Sequence, residues 1–312
     1  MTRTDHPYPG AAPDTADAGA AGGRATAGRD ATLTAIHRYP VKSCRGHAVS
    51  EACVRPWGLD GDRRWALIDA DGVAVTARTV PGLVLVRPEI VPGGLVLHAD
   101  GAPTLAVAEP GPGVRRPVRV HAATVPALPA AEEADAWFSR VLGVPLRLVF
   151  LDDPMARRPP EDYSRPDDRV SLADGFALLL TTRESLDALN DLVVADRPEP
   201  EQAGWPLPMA RFRPNVVVSG QPAWVEDSWR RVRIGGATFR MVKSCARCVL
   251  TTVHPDTAIK GKEPLRTLAR HRRWGDGLWF GVNLTPDTPG AVIRLGDPVE
   301  VLERVESLEP LR

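Results

Sequence analysis

The residues best suited to chemistry lie in one short segment, residues 243–255, in which Arg247 stands between Cys245 and Cys248. The whole chain has only four cysteines, so two within four positions are distinctive. A thiolate is a ligand that soft or high-valent metals accept, and a neighbouring arginine favours the ionised form of the thiol. We therefore expect the chemistry of this protein to be centred on this segment.

Three other interpretations of the Cys-x-x-Cys pair are open. A structural zinc site needs further ligands, and Cys44 and Cys53 do not form a second tight pair. A thioredoxin-like dithiol normally opens a helix, whereas the β-branched residues 249–253 predict a strand. The third interpretation is a buried thiol without a chemical role.

Length and composition bound the remaining possibilities. A chain of 312 residues with 43% hydrophobic residues can form two domains, or one large domain, around a real core. A formal net charge of zero favours neither nucleic acid nor a membrane as a partner, and no apolar run reaches the length of a membrane span. Sparse cysteines favour a reducing, cytoplasmic location. Residues 1–31, poor in large apolar side chains, predict a disordered tail.

The elements that must position these residues are mainly short strands. In the first part of the chain we predict strands at residues 33–41, 65–69, 73–78, 89–91, 95–98 and 116–121, with hairpin turns at Asp71-Gly72 and Gly93-Gly94. Short strands with Gly and Pro punctuation are typical of an antiparallel sandwich or barrel. This predicts a barrel-like module at residues 32–122.

Helices interrupt the strands in the second part of the chain. We predict helices at residues 130–142, ending at Gly143, and at residues 265–272, with Pro264 in the first turn. Thr181 and Glu184 form the pattern of a capping box before a third, apolar-periodic helix. Predicted strands lie at 146–151, 215–219, 232–234, 238–242 and 292–302, and a Pro-rich loop at 196–208. The expected fold is therefore α+β and β-rich, with a helical connection and a second module at residues 123–312.

Basic and amide side chains recur where predicted strands begin or end. Lys42 and Ser43 end the first strand, Arg63 precedes the next, and Arg213 and Asn215 precede a later one. Such groups, if they converge, suit a phosphate and a heterocyclic ring with donor and acceptor edges. A solvated surface charge explains each of them singly, so the prediction depends on several acting together.

A series of ordered motifs spans nearly all of the chain from residue 32 onward. They are Tyr39-Pro-Val-Lys-Ser-Cys-Arg-Gly46, Asp62-Arg63, Val75-Thr-Ala-Arg78, Asp174-Gly-Phe176, Arg211-Phe-Arg-Pro-Asn215, Glu226-Asp-Ser-Trp229, Cys245-Ala-Arg-Cys-Val-Leu-Thr-Thr-Val253, Lys262-Glu-Pro-Leu265 and Gly296-Asp-Pro298. In these motifs the chain resembles the MOSC-domain proteins, in particular the group of the mitochondrial amidoxime-reducing component and its bacterial counterparts. The resemblance implies a MOSC N-terminal β-barrel domain at 32–122, a MOSC domain within 123–312 and a ligand cleft between them.

The resemblance also implies a molybdenum cofactor, molybdenum bound to molybdopterin. In that family the pterin dithiolene and one protein thiolate bind the metal, and the matching thiolate here is Cys248, the expected catalytic residue and metal ligand; Cys245 is not a ligand there. The residues that match the cofactor-binding set or lie near the site are Lys42, Ser43, Arg63, Asp174, Arg213, Asn215 and Arg247.

The activity that the resemblance implies is oxygen-atom transfer from small N-hydroxylated substrates, such as amidoximes and hydroxylamines, with water as a product. No ferredoxin-like cysteine set follows residue 248, so we expect electrons from a separate ferredoxin- or cytochrome-type protein with its reductase. His254 stands where the family commonly has aspartate, and either delivers protons or is a polar residue without a role.

A function of a different class is also open, because MOSC domains resemble the C-terminal part of molybdenum-cofactor sulfurases. Cys248 would then carry a persulfide, and the protein would be a sulfur carrier or transferase. A molybdenum-cofactor carrier without turnover, pyridoxal phosphate binding and a metal-free binding protein are further alternatives.

Overall fold

The computed structural model describes residues 31–196, 206–306 and 311. The predicted disordered tail lies outside the described residues, except for Ala31, which is buried. Residues 197–205 of the predicted Pro-rich loop also lie outside them. No helix in the described part of the chain is long and apolar enough to cross a membrane.

Strands dominate the described residues, which confirms the prediction of a β-rich α+β fold. The strands are β1 (Thr32–Arg38), β2 (His47–Val49), β3 (Glu51–Arg55), β4 (Gly58–Leu59), β5 (Trp65–Ile68), β6 (Ala74–Val75), β7 (Arg87–Val91), β8 (Gly94–His98), β9 (Leu105–Ala108), β10 (Arg116–Val120), β11 (Ala123–Pro129), β12 (Arg147–Phe150), β13 (Leu178–Thr182), β14 (Val216–Ser219), β15 (Trp229–Ile234), β16 (Ala237–Ala246), β17 (Arg273–Trp274), β18 (Gly277–Pro286), β19 (Val292–Arg294) and β20 (Val299–Arg304). The α-helices are α1 (Glu132–Leu142), α2 (Arg183–Asp196) and α3 (Leu265–His271). Short 3-10 helices lie at Pro81–Leu85, Pro154–Ala156, Glu161–Tyr163, Met209–Arg211, Val225–Ser228 and Val249–Thr252.

The largest sheet joins the two ends of the described chain. Its strands run in the order β2-β1-β14-β13-β18-β16-β15-β20, and β17 pairs with β18. The β13–β14 pair is parallel, whereas β1 pairs with β14 in antiparallel register, with Ile36 opposite Val216. The first strand of the chain therefore belongs to the same sheet as β16, which carries Cys245. The domain boundary between residues 122 and 123 stays a prediction.

The smaller sheets contain the predicted hairpins. A five-stranded sheet has the order β10-β11-β12-β5-β6, and two three-stranded sheets have the orders β7-β8-β9 and β19-β3-β4. Gly72 lies in the turn that joins β5 to β6, and Gly93 lies in the turn that joins β7 to β8; both have positive φ angles, of 74° and 75°. Glycine adopts this conformation without the steric penalty of a Cβ atom, and both hairpin predictions are confirmed.

Helix α1 packs its apolar face onto the sheet that contains β5 and β12. Trp137 and Phe138 are buried in this core and meet edge to face, with ring centroids 5.1 Å apart. The Asp135 carboxylate accepts a hydrogen bond from the Leu148 N–H at 2.7 Å, which ties the helix to β12. Gly143 ends the helix in the left-handed conformation, as predicted. Truncating a buried aromatic side chain typically costs about 3–5 kcal/mol, so this contact fixes the helix firmly.

The capping box predicted at Thr181 and Glu184 is wrong by one residue. Thr181 is buried in β13, and Thr182 accepts the Ser185 N–H through its hydroxyl oxygen at 3.2 Å at the start of α2. Glu184 instead accepts hydrogen bonds from the Ser219 hydroxyl and from the Gly220 N–H. Its carboxylate therefore joins α2 to the end of β14, a long-range contact that outweighs the local capping pattern.

The strand predicted at residues 249–253 is also wrong, because this segment is the 3-10 helix Val249–Thr252. The Thr251 hydroxyl donates to the Cys248 carbonyl at 2.9 Å, and the Thr252 hydroxyl donates to the Val249 carbonyl at 2.8 Å. Threonine hydroxyls that bond nearby carbonyls compete with strand pairing. The argument from a following strand against a thioredoxin-like dithiol therefore fails.

Three predicted boundaries also change. The last predicted strand, at residues 292–302, is two strands separated by a turn in which Gly296 has a φ of 88°. Pro264 is the residue before α3 and not part of its first turn. The strand predicted at residues 73–78 ends at Val75, because the Thr76 carbonyl accepts the backbone N–H groups of residues 79 and 80 and turns the chain.

Candidate functional site

A cavity of about 380 Å³ lies where the large sheet meets loops from the first part of the chain. Strands β13, β16 and β18 line it together with the loops that follow β1, β4, β6, β10 and β12. All eight predicted site residues line this one cavity: Lys42, Ser43, Arg63, Asp174, Arg213, Asn215, Arg247 and Cys248. The structure therefore shows the convergence that sequence spacing could not show, while the role of each residue stays a prediction.

The backbone around the cavity is held in an unusual conformation. Four cavity-lining residues that are not glycine have positive φ angles: Ser43 (67°), Arg63 (46°), His121 (55°) and Arg213 (56°). This left-handed region costs about 1–3 kcal/mol for residues with a Cβ, and such strain concentrates at functional sites. The surrounding fold therefore holds these side chains in place at an energetic cost.

Tyr39 does not line the cavity, but its ring contacts two of the cationic side chains that do. The guanidinium carbons of Arg63 and Arg213 lie 4.4 and 4.3 Å from the centre of its ring. Its hydroxyl donates to the Pro214 carbonyl at 3.1 Å, and burial raises the pKa of Tyr39 to about 12, so the ring stays neutral. Cation–π contacts hold both guanidinium groups without neutralising their charge.

Asn215 positions Arg63 and joins neighbouring strands. Its side-chain oxygen accepts from the Arg63 guanidinium at 2.8 Å and from the Leu179 N–H at 3.2 Å. Its side-chain nitrogen donates to the His37 carbonyl at 3.2 Å. The amide is thus engaged mainly with the protein itself, so the geometry favours a positioning role for Asn215 over direct ligand contact.

Cys248 belongs to a chain of charged contacts across the cavity. The Arg78 Nε donates to the Cys248 Sγ at 3.3 Å, and the Arg78 Nη2 donates to the Asp174 carboxylate at 2.5 Å. Lys42 pairs with the same carboxylate, and the His121 Nε2 lies 3.3 Å from it. The Cys248 sulfur therefore belongs to a network of hydrogen bonds and ion pairs among residues that line the cavity.

The protonation states of Lys42 and Asp174 follow from their surroundings. Burial lowers the pKa of Lys42 to about 8, although the Asp174 carboxylate acts in the opposite direction. Burial alone would raise the pKa of Asp174, but Lys42, His121 and Arg78 outweigh it and hold that pKa well below its usual range. Asp174 is therefore ionised at neutral pH, and the pKa of Lys42 lies unusually close to neutral pH for a lysine.

Arg247 holds the second thiol of the pair. Its Nη1 donates to the Cys245 Sγ at 2.8 Å, its Nη2 donates to the Phe212 carbonyl at 2.6 Å, and its buried Nε has no hydrogen-bond partner among the described residues. Cys44 lies apart, fully buried, and burial raises its pKa to about 12. No group of three or more His, Cys, Asp or Glu side chains that could hold a metal occurs within residues 31–196 and 206–306.

Cationic side chains outnumber carboxylates in the cavity lining, although Arg63 also pairs with the buried Asp62, which does not line the cavity. Among the described residues, one carboxylate, Asp174, lines it together with six cationic side chains: Lys42, Arg63, Arg78, Arg213, Lys243 and Arg247. The Arg213 guanidinium forms no salt bridge within the described part of the chain. An excess of partly buried cations favours an anionic ligand. A pterin that carries a phosphate and a metal fits these residues, because the cations suit the phosphate and a cysteine sulfur suits the metal.

Sequence reasoning missed three contributors, and the structure bears on the two alternatives left open for His254. Arg78 and Tyr39 lie within quoted motifs, but only the structure shows that they contact Cys248 and the guanidinium groups. His121 had no signal beyond its position after a strand. His254 does not line the cavity; its Nδ1 accepts the Asp256 N–H at 3.1 Å and stabilises a turn. Its expected alternative role in proton delivery has no support in this placement.

The fold and the site together define a β-rich protein with a cavity lined by cationic side chains and by two cysteines, Cys245 and Cys248. Residues 30–145 match the MOSC N-terminal beta barrel domain, and residues 167–300 match the MOSC domain. The chain belongs to the MOSC-domain family.

The chain is similar to amidoxime-reducing components and to molybdenum cofactor sulfurases. Mitochondrial amidoxime-reducing component 1 of Homo sapiens is 34% identical over 292 residues, covering 87% of this chain and 83% of the relative. Molybdenum cofactor sulfurase of Oryza sativa subsp. japonica is 31% identical over 274 residues, and this chain spans only 32% of its length. Among solved structures, the YUAD protein from Bacillus subtilis matches 87% of this chain and 95% of its own at 11% identity, with a TM-score of 0.36.

Proposed function

We propose that this protein is a molybdenum-cofactor-dependent oxidoreductase that reduces N-hydroxylated small molecules, such as amidoximes and hydroxylamines. The observation that carries the proposal is Cys248, which accepts a hydrogen bond from Arg78 at the edge of a cavity with six cationic side chains and one carboxylate. Similarity to amidoxime-reducing components over most of the chain supports the same activity. Electrons would come from a separate ferredoxin- or cytochrome-type protein with its reductase.

The residues of the cavity suit distinct parts of the cofactor. Cys248 would bind the metal, because a thiolate is the soft ligand that molybdenum accepts. Arg213, with no carboxylate partner among the described residues, and Arg247, with a buried unpartnered Nε, would bind the pterin and its phosphate together with Lys42, Ser43 and Arg63. When bound, the molybdenum cofactor supplies the capacity to accept an oxygen atom from the N–O group of the substrate.

The protein's own groups set the charge and proton supply around the reacting bond. Reduction of an N-hydroxyl group to the amine and water takes up two electrons and two protons. Lys42 Nζ carries a proton at neutral pH, and its pKa of about 8 places it close to the range in which proton transfer is efficient. Asp174 stays ionised, so it holds Arg78 in place through a short ion pair and does not itself deliver a proton.

A second candidate function is sulfur transfer with a persulfide on Cys248. It is favoured by two thiols, Cys245 and Cys248, that line the same cavity, each with an arginine donor. The sulfurase relatives match this chain over most of its length, although the chain spans about a third of theirs. Pyridoxal phosphate binding and a cytoplasmic location stay predictions without further support.

A single-turnover assay tests the oxidoreductase proposal. Protein made in a host that synthesises the cofactor is reduced chemically and mixed with benzamidoxime, and benzamidine is measured. We expect one benzamidine per bound molybdenum, and none from Cys248→Ala. Cys53→Ala is the matched control, because Cys53 lies on β3 and does not line the cavity. Metal-free protein that carries a cyanide-labile sulfur on Cys248 would instead establish the sulfur-transfer function.

A further inference from the structure

One wall of the cavity is aromatic and lies outside the residues assigned above to the cofactor. We call Tyr163 and Phe176 the aromatic wall; both line the cavity. The rings of Tyr163 and Phe176 meet edge to face at 80°, with centroids 6.0 Å apart. Such rings present flat apolar surface on which a planar ligand group can pack. The wall is therefore suited to the body of an aromatic molecule.

Lys243 on β16 stands beside the aromatic wall. Its Nζ donates to the Tyr163 hydroxyl at 2.7 Å and lies 4.0 Å from the centre of that ring. Among the described residues, Lys243 has no carboxylate partner, whereas Lys42 and Arg78 share Asp174. It is only partly exposed. A partly desolvated ammonium without a counter-charge favours an anion next to it.

The Tyr163 hydroxyl strengthens this preference. A phenolic hydroxyl can accept one hydrogen bond and donate another. Because it already accepts from Lys243, its own proton is free to be donated to an anionic acceptor. Lys243 and Tyr163 thus form a paired donor for a carboxylate.

We propose that the aromatic wall and Lys243 form a substrate subsite that selects N-hydroxylated compounds with an aromatic body and an acidic substituent. The inference rests on the proposed function for the identity of the reacting group, but the subsite itself is defined by Lys243, Tyr163 and Phe176. The N–O group would point towards Cys248, and the carboxylate would lie against Lys243 and the Tyr163 hydroxyl. This assigns a specificity-determining role to residues outside the cofactor-binding set.

The test compares benzamidoxime with 3- and 4-carboxybenzamidoxime in the molybdenum-loaded protein. We expect kcat/KM to be about tenfold higher for one of the acids, the advantage typical of one charge-assisted contact. Lys243→Met should bring the ratio of acid to neutral kcat/KM close to one, and Tyr163→Phe should lower it partly. Lys262→Met is the control, because Lys262 is exposed and does not line the cavity; it should keep the wild-type ratio.

Two further measurements separate the possible failures. Titration calorimetry of the same compounds with the oxidised protein, which cannot turn them over, should show the same tenfold preference in Kd and its loss in Lys243→Met. Selective binding without turnover would refute the proposed function and leave the subsite intact. Turnover without a preference for either acid, or a preference that survives Lys243→Met, would overturn the subsite. A loss of bound molybdenum in Lys243→Met would also overturn it, by placing Lys243 among the cofactor contacts.

Discussion

Lys42→Met should make the cofactor-free protein more stable relative to wild type as the pH is lowered, while weakening cofactor retention. Lys42 is almost completely buried, and burial lowers its pKa from 10.5 to about 8. One pKa unit corresponds to about 1.4 kcal/mol, so the charged ammonium destabilises the folded state by about 3 kcal/mol at neutral pH. An anionic cofactor would relieve this penalty, which is a physical reason for a charge that stability alone disfavours.

The sign follows from the direction of the shift. Because the folded-state pKa is depressed, stability is present above the unfolded pKa of 10.5 and is lost as the pH falls through about 8. Between pH 9.5 and pH 7, the wild type should lose about 2 kcal/mol of unfolding free energy relative to Lys42→Met. A constant offset is also expected, because the Leu172 carbonyl loses the Lys42 hydrogen bond at 2.9 Å. The pH-dependent part is free of that offset.

Denaturant unfolding of the two cofactor-free proteins at pH 7, 8 and 9.5 measures this difference. As the pH falls, the unfolding free energy of Lys42→Met should rise relative to that of the wild type. After expression in a cofactor-producing host, Lys42→Met should also contain less molybdenum than the wild type. A gap that is the same at all three pH values would refute the buried-charge reasoning. Equal molybdenum occupancy would refute the assignment of Lys42 to the cofactor.

Three further predictions concern other residues. Arg213→Ala should lower molybdenum occupancy several-fold while the protein stays folded. The control is Arg233→Ala, which removes an exposed arginine that pairs with Glu300 and should leave the occupancy unchanged. Equal occupancy in the two variants would contradict the assignment of Arg213 to anion binding. Burial raises the pKa of Glu226 from 4.5 to about 7, so its contribution to stability is present below pH 4.5 and is lost as the pH rises through 7. Glu226→Gln should remove up to about 3 kcal/mol of this pH dependence of the unfolding free energy, measured by denaturant titration from pH 4 to 8. An unchanged pH profile in the variant would contradict this prediction. Gly281→Ala should destabilise by about 1–3 kcal/mol or more, because φ is 77° and an added Cβ would lie 2.7 Å from the Leu180 carbonyl oxygen; a thermal midpoint equal to wild type would show that the backbone relaxes freely.

Local rules predicted the features that depend on a few neighbouring residues. The hairpins at Asp71-Gly72 and Gly93-Gly94 and the end of α1 at Gly143 follow from glycine's access to positive φ angles, which the sequence states directly. The capping box failed because Glu184 binds Ser219, 35 positions away, and no local pattern contains that contact. The strand predicted at residues 249–253 was wrong because threonine favours strands on average, whereas here its hydroxyl bonds nearby carbonyls and stabilises a tight turn.

The candidate site was predictable in its residues but not in its organisation. Motif matching nominated Lys42, Arg213 and Cys248, all of which line the cavity. It gave no sign that Arg78 donates to the Cys248 sulfur from 170 positions earlier, because that contact depends on the turn after β6 and on packing between two sheets. Likewise, it gave no sign that the Asn215 amide bonds Arg63 and the backbone, and the expected ligand contact of Asn215 stays a prediction. Long-range hydrogen bonds decide such roles.

The most direct test of the central claim is the sulfur coordination of molybdenum in the loaded protein. X-ray absorption at the molybdenum edge should show one sulfur ligand more in the wild type than the dithiolene supplies. Cys248→Ser should either lose that ligand or lose the metal, and Cys245→Ser should keep both. A Cys248→Ser protein with unchanged molybdenum content and unchanged sulfur coordination would contradict the claim that this thiolate binds the metal in the cationic cavity.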